Sequence, residues 1–217
     1  MEPAKACVLS VVCYAAVTTL SLGLPESFSD QQKTQKLTKS LVDRAENTLK
    51  EINETEDQLR AVMEKYEKLL SKKSVEERRN EHKKIVQELG KLEDRAKDVR
   101  GCTQEMEEEA NKFFAEWSSG LDGIGDAELR SISRQRLSQT QNGYGEIVSA
   151  GRLAADEYDV FVKALRDQLR YFELDMSDES VKKLKSVDRN LKGKVSALQA
   201  RVRDLSATIE RYVKALS

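Results

Sequence analysis

One histidine, three cysteines and thirty-eight carboxylates are the side chains here with the means for catalysis or metal binding. His82 has no second histidine to work with. A di-iron bundle built from paired Glu-x-x-His motifs is therefore excluded, and zinc would lack both an imidazole partner and a cysteine cluster. Cys7 and Cys13 fall in an uncharged leader, which leaves Cys102 as a free thiol with no partner in its own mature chain. No Ser–His–Asp or Cys–His constellation can be assembled. The carboxylates come in runs such as Glu105–Glu109, the pattern of a solvated helix face. Gly143-Tyr-Gly145 opens like a phosphate loop, but the sixth position of that window is Val148 rather than glycine. These glycines, with Gly151, mark close helix approach or local weakness instead. The chain reads as a non-enzyme with no catalytic residue, no cofactor and no metal.

Other residues are candidates for binding or for register. Asp188 interrupts an otherwise apolar seam, where an acidic group is costly unless paired. It is expected to set register against a basic partner or to line a wet gap. Phe113, Phe114 and Trp117 cluster before a glycine-rich stretch; they either plug one end of a helical bundle or form an exposed tip contact. Lys182, Lys183, Lys185, Lys192, Arg201 and Arg203 could present a basic surface to an anionic membrane. Asn53-Glu-Thr55 matches a glycosylation sequon, which matters only where exported proteins are glycosylated.

The elements that must carry these residues are long helices. Only Pro3 and Pro25 are present, so no obligate helix breaker follows position 25. Charged residues are 35% and aromatics 6%, a balance that fits helical bundles or coiled coils. From Val181 to Leu216 a heptad seam runs with Val181, Val195, Val202 and Ile209 in one column and Leu184, Leu191, Leu198 and Leu205 in the other. Ser74 with Glu77 has capping-box spacing, Asp126 is a good N-cap after Gly120, Gly123 and Gly125, and Ser177 caps a last segment. The expected helices are 30–71, 75–118, 126–174 and 178–216, in a single domain 25–217. Short connections make this an all-α, elongated, antiparallel four-helix bundle or coiled coil. The α-helical seams are narrow, which favours a homodimer; Val99, Leu153 and Val187 then need cover from a second chain.

Ala6–Leu24 carries no charge and follows Lys5, the layout of an export signal. It is either cleaved near Gly23 or retained as an anchor. The chain is thus expected outside the cytoplasm, in the periplasm or cell envelope. A net charge of −1 and sparse aromatics exclude nucleic acid as a partner. Gly101–Arg130 is locally acidic and Ser177–Ser217 locally basic, which suggests that one face lies beside the other.

Leu41-Val-Asp-Arg-Ala-Glu46 resembles the start of the bacterial family catalogued as domain of unknown function 2959. Phe114-Ala-Glu-Trp117, Leu129-Arg130 with Ser133, Leu137, Thr140 and Tyr144, and Arg166-Asp-Gln-Leu169 continue the resemblance in the same order. Members commonly follow the last motif with Lys-His-Asn-Leu-Asn, where this chain has Tyr171-Phe-Glu-Leu-Asp-Met176. The resemblance implies an exported, helical, envelope-associated protein and supplies no catalytic residue. Together these readings lead to a non-enzymatic envelope protein acting as spacer, tether or assembly partner. The alternative is a peripheral membrane binder that uses the basic residues of the last helix.

Overall fold

The computed structural model describes residues 28–216; the leader Ala6–Leu24, with Cys7 and Cys13, lies outside them. Four helices fill this span: α1 Phe28–Ser71, α2 Val75–Gly120, α3 Ala127–Leu174 and α4 Asp178–Leu216. At 1.5 Å per residue each is about 60–70 Å long. The four segments expected from the sequence match them to within about two residues.

The close match follows from the local chemistry of the caps. Ser74 Oγ accepts the Glu77 N–H at 3.2 Å, and Glu77 Oε2 accepts the Ser74 N–H at 3.2 Å. Asp126 Oδ1 accepts the Leu129 N–H at 2.9 Å. Before α4, Ser177 Oγ accepts the Ser180 N–H at 3.2 Å. Asp175 in turn accepts from the Ser177 N–H at 3.0 Å and the Ser180 hydroxyl at 2.7 Å. The glycine stretch begins inside α2 and continues as one 3-10 turn, Leu121–Gly123. No described residue, glycine included, has a positive φ, so these glycines serve as helix-poor spacers rather than left-handed caps.

Consecutive helices are antiparallel. Arg44–Glu105 and Arg95–Glu54 tie α1 to α2. Arg166–Glu93 ties α2 to α3, Arg211–Glu146 α3 to α4, and Lys192–Glu67 α4 to α1. The bundle is four-cornered: α1 and α3 are diagonal, as are α2 and α4. The α1–α2 and α3–α4 pairs pack most closely, and of the adjacent pairs α2 and α3 touch least. Surface ion pairs of this kind contribute little energy singly. Their value is in specifying which helix lies beside which.

Two apolar clusters form the core. One, with Tyr66, Ile85, Phe161, Phe172 and Leu191, sits toward the α1–α2 and α3–α4 connections. The other, with Leu41, Met106, Phe113, Ile147 and Ile209, sits toward the glycine stretch. The α4 seam is spent inside this chain, since Val181, Leu184, Leu191, Leu198, Leu205 and Ile209 are all buried. Val99 and Val187 also pack against the chain's own core. Leu153 does not, and remains 42% exposed. The acidic stretch of α2 meets α1 rather than the basic α4, because α2 and α4 are diagonal. Its partners are Lys33 for Glu116, Ser40 for Glu109 and Arg44 for Glu105.

Candidate functional site

Between the two core clusters the seams run small. The layer holds Thr55 on α1, Ala96 and Thr103 on α2, and Gly151, Ala154 and Ala155 on α3, where other layers carry Leu, Phe or Tyr. Four helices that bring small residues to one stretch of the bundle leave space behind. The result is a cavity of about 650 Å³ lined by all four helices. The Thr55 hydroxyl donates to the Glu51 carbonyl at 2.7 Å and the Thr103 hydroxyl to the Val99 carbonyl at 2.8 Å. Both therefore turn their polar atoms back to their own helix. Tyr158 Oη is the one buried oxygen on the wall with no hydrogen-bond partner. Burial pushes this phenol up to about 12, so at neutral pH it keeps its proton and is a hydrogen-bond donor. Arg100 lies over its ring at 6.0 Å and reaches Asp159 at 3.6 Å. Every exposed residue on the wall (Arg100, Gln104, Glu107, Arg152) belongs to α2 or α3, so the mouth is the gap between those helices.

Sequence reasoning did not find this site. In the sequence Gly151 marks only close helix approach or local weakness, and seeing which residues of the four helices line one cavity needs the stagger between them. A second cleft, about 1300 Å³, lies toward the glycine stretch, and its wall mixes charged and apolar residues, Trp117, Arg136, Glu146 and Tyr212 among them.

The residues singled out by sequence fall as follows. His82 is buried on α2; its Nε2 lies 3.1 Å from the Leu169 carbonyl of α3 and its ring 6.2 Å from Phe172. It is a core residue that joins two helices. Cys102 is half-buried, takes a hydrogen bond from Asn47 at 3.2 Å, and has its thiol pushed up by burial. That shift works against a reactive thiolate. Asp188 has its basic partner on its own helix, Lys192 at 3.0 Å, and Lys192 also reaches Glu67 of α1 at 3.0 Å. The other carboxylate oxygen, Oδ1, is buried without a partner. Burial, and then the nearby Asp188 charge, push the Tyr66 phenol up; Tyr66 donates to Gln168.

The aromatic cluster turns inward. Phe113 is buried, and Phe114 and Trp117 are half-buried against it at 5.5 Å between ring centres. Trp117 Nε1 donates to Ser133 Oγ at 3.0 Å, fastening the end of α2 to the start of α3. Lys182, Lys183, Lys185, Lys192, Arg201 and Arg203 are all exposed. Helical periodicity divides them: Lys185, Lys192 and Arg203 flank α1, Lys183 and Arg201 flank α3, and Lys182 lies between. Of the glycines, Gly143 is a true close approach, since a Cβ there would meet Tyr212 Cδ2 at 3.2 Å. Gly145 has open space around it. Asn53 is exposed within α1. Among the described residues no His, Cys, Asp and Glu group could hold a metal ion, and no helix is long and apolar enough to cross a membrane.

Arg78 carried no sequence signal and is the main polar tie of one end. Its side chain is 5% exposed. Nε donates to the Lys72 carbonyl at 3.0 Å and Nη1 to the Met176 carbonyl at 3.0 Å, while Nη2 pairs with Asp178. One guanidinium thus joins the α1–α2 and α3–α4 connections.

Fold and site define an all-α four-helix bundle with a half-open, mostly apolar cavity at its waist. The model of the family described as Protein of unknown function (DUF2959) matches residues 31–216, and the chain belongs to that family. No curated protein and no solved structure matches it.

Proposed function

We propose that this chain is an exported, non-enzymatic protein of the cell envelope that works as a spacer, tether or assembly partner through its long helical surfaces. The observation that carries the reading is a stripe on α3. Leu153, Val160, Tyr171 and Leu174 are 42%, 45%, 42% and 82% exposed. They recur at heptad-compatible spacings, with half-buried Ala164 between them. The same flank carries Glu146, whose carboxylate lies 4.0 Å from Arg211 of α4, so the stripe follows the outside of the α3–α4 pair. A bundle that has already buried its own seams has no internal use for it. A further helix, from a second copy in a homodimer or from another protein, is the partner such a stripe fits. The uncharged Ala6–Leu24 segment supports the compartment.

The alternative, binding to an anionic membrane through α4, draws less support. Its basic residues lie on both flanks of the helix, and Lys192 is already paired with Glu67 and Asp188.

Crosslinking in native cells tests the proposal, comparing the wild type with a Leu153→Glu/Val160→Glu variant. The wild type is expected to give discrete adducts that the variant loses at unchanged thermal stability. Adducts identical in both proteins would refute the reading.

A further inference from the structure

The chamber at the waist has features that a packing defect would not explain. Its volume, about 650 Å³, falls within the range of small-molecule sites, about 300–1,000 Å³. On α2 its wall extends from Leu92 to Glu107, about 22 Å of helix at 1.5 Å per residue. Its walls on the other three helices span about 10 Å each, and most of the lining surface is apolar, which suits an alkyl chain. Water would gain little there, because the threonine hydroxyls are already satisfied. Midway along the α2 wall is a polar point: the unpartnered Tyr158 hydroxyl, with Arg100 beside it and held by a long contact to Asp159. Farther along the mouth stand Arg152, which makes no ion pair among the described residues, and Glu107.

We propose that this cavity binds one molecule of a single-chain anionic amphiphile, a long-chain fatty acid. Its alkyl chain lies among Thr103, Gly151 and Leu205, and its carboxylate accepts from Tyr158 and pairs with Arg100. The gap between α2 and α3, the least intimate pair of adjacent helices, is the entry. The positive charge the head needs comes from Arg100, and Tyr158 adds a neutral phenol that donates a hydrogen bond while keeping its proton.

The test uses the whole protein, stripped of lipid, with palmitate as probe. Native mass spectrometry is expected to show one palmitate per chain, and the melting temperature should rise with palmitate concentration. Hexadecanol, with the same chain and no carboxylate, should bind about tenfold more weakly, as lost charge-assisted hydrogen bonds would give. Ala96→Leu fills the chamber, and should raise the melting temperature of the unliganded protein and abolish binding. Tyr158→Phe separates a ligand contact from a structural one. It removes an unpartnered buried hydroxyl, so the unliganded protein should become more stable, while palmitate binding weakens about tenfold. Should Ala96→Leu fail to fold, Tyr158→Phe decides alone. The proposal is overturned if palmitate shows no saturable one-to-one binding, if hexadecanol binds as tightly, or if Tyr158→Phe binds palmitate like the wild type.

Discussion

Replacing Arg78 with methionine should loosen the end of the bundle where the two hairpins meet. The substitution keeps an aliphatic stem of similar reach and removes three donors. Two are hydrogen bonds at 3.0 Å to the Lys72 and Met176 carbonyls, and the third pairs with Asp178. A buried hydrogen bond to a charged group contributes about 1.5–3 kcal/mol. The two carbonyls lie in turns that water reaches once the guanidinium is gone, so roughly half of that is recovered. The Asp178 side chain is 78% exposed, and its pairing adds little. The expected loss is about 2–4 kcal/mol, which for a chain of this size lowers the melting temperature by roughly 4–16 °C. Urea unfolding followed by circular dichroism at 222 nm measures it. Arg78→Lys should recover less than half, because an ammonium on a flexible stem cannot reach all three acceptors in the fork geometry. A loss below about 0.5 kcal/mol for Arg78→Met, within the usual range for surface changes, would show that the guanidinium ties nothing that matters.

Further expectations follow from other sites. Gly145→Ala should stabilise by about 0.5–1 kcal/mol on helix propensity alone, because nothing stands within 4 Å of its Cβ. Gly143→Ala should gain less or lose, since Tyr212 must yield to a contact at 3.2 Å; paired melting curves read the difference. Asp188→Leu should raise stability by about 1 kcal/mol, as replacing a poorly paired buried charge commonly does, and a lower melting temperature would contradict this. Glu77, Asp175 and Asp178 are held below the usual carboxylate range, first by hydrogen bonds from Ser74, Ser180 and Arg78 respectively. Groups lowered in the native state stabilise above their unfolded values and lose that contribution as pH falls through the native ones. Stability should therefore be level near neutrality and fall below about pH 4. A decline beginning above pH 6 would place the cause elsewhere.

Much of the fold was legible because its signals are short-range. Ser74 with Glu77, Asp126, and Ser177 with Asp175 fix the helix ends within a turn of chain, and the apolar columns fix the inward faces. The arrangement around the square was not legible. Whether the acidic part of α2 meets α1 or α4 depends on which helices are diagonal, and narrow seams of similar type do not encode that. Asp188 stood out as a break, yet its partner Lys192 lies one turn away on the same helix rather than across the seam. Arg78 sits among many surface arginines in the sequence, and only the meeting of two distant loops gives it a role. The chamber is the same problem in another form. Thr55, Ala96 and Ala154 are unremarkable singly, and a cavity appears only when the stagger of four helices sets them around one space.

The claim that the α3 stripe is the working surface is tested most directly in living cells. A photo-crosslinking amino acid placed at Val160, with Arg189 on the exposed side of α4 as control, reports what touches each position. The account predicts an adduct of defined mass from Val160, either a second copy of the chain or one other protein, and none from Arg189. No adduct from Val160 in a folded, exported protein, or equal labelling from both positions, would contradict it.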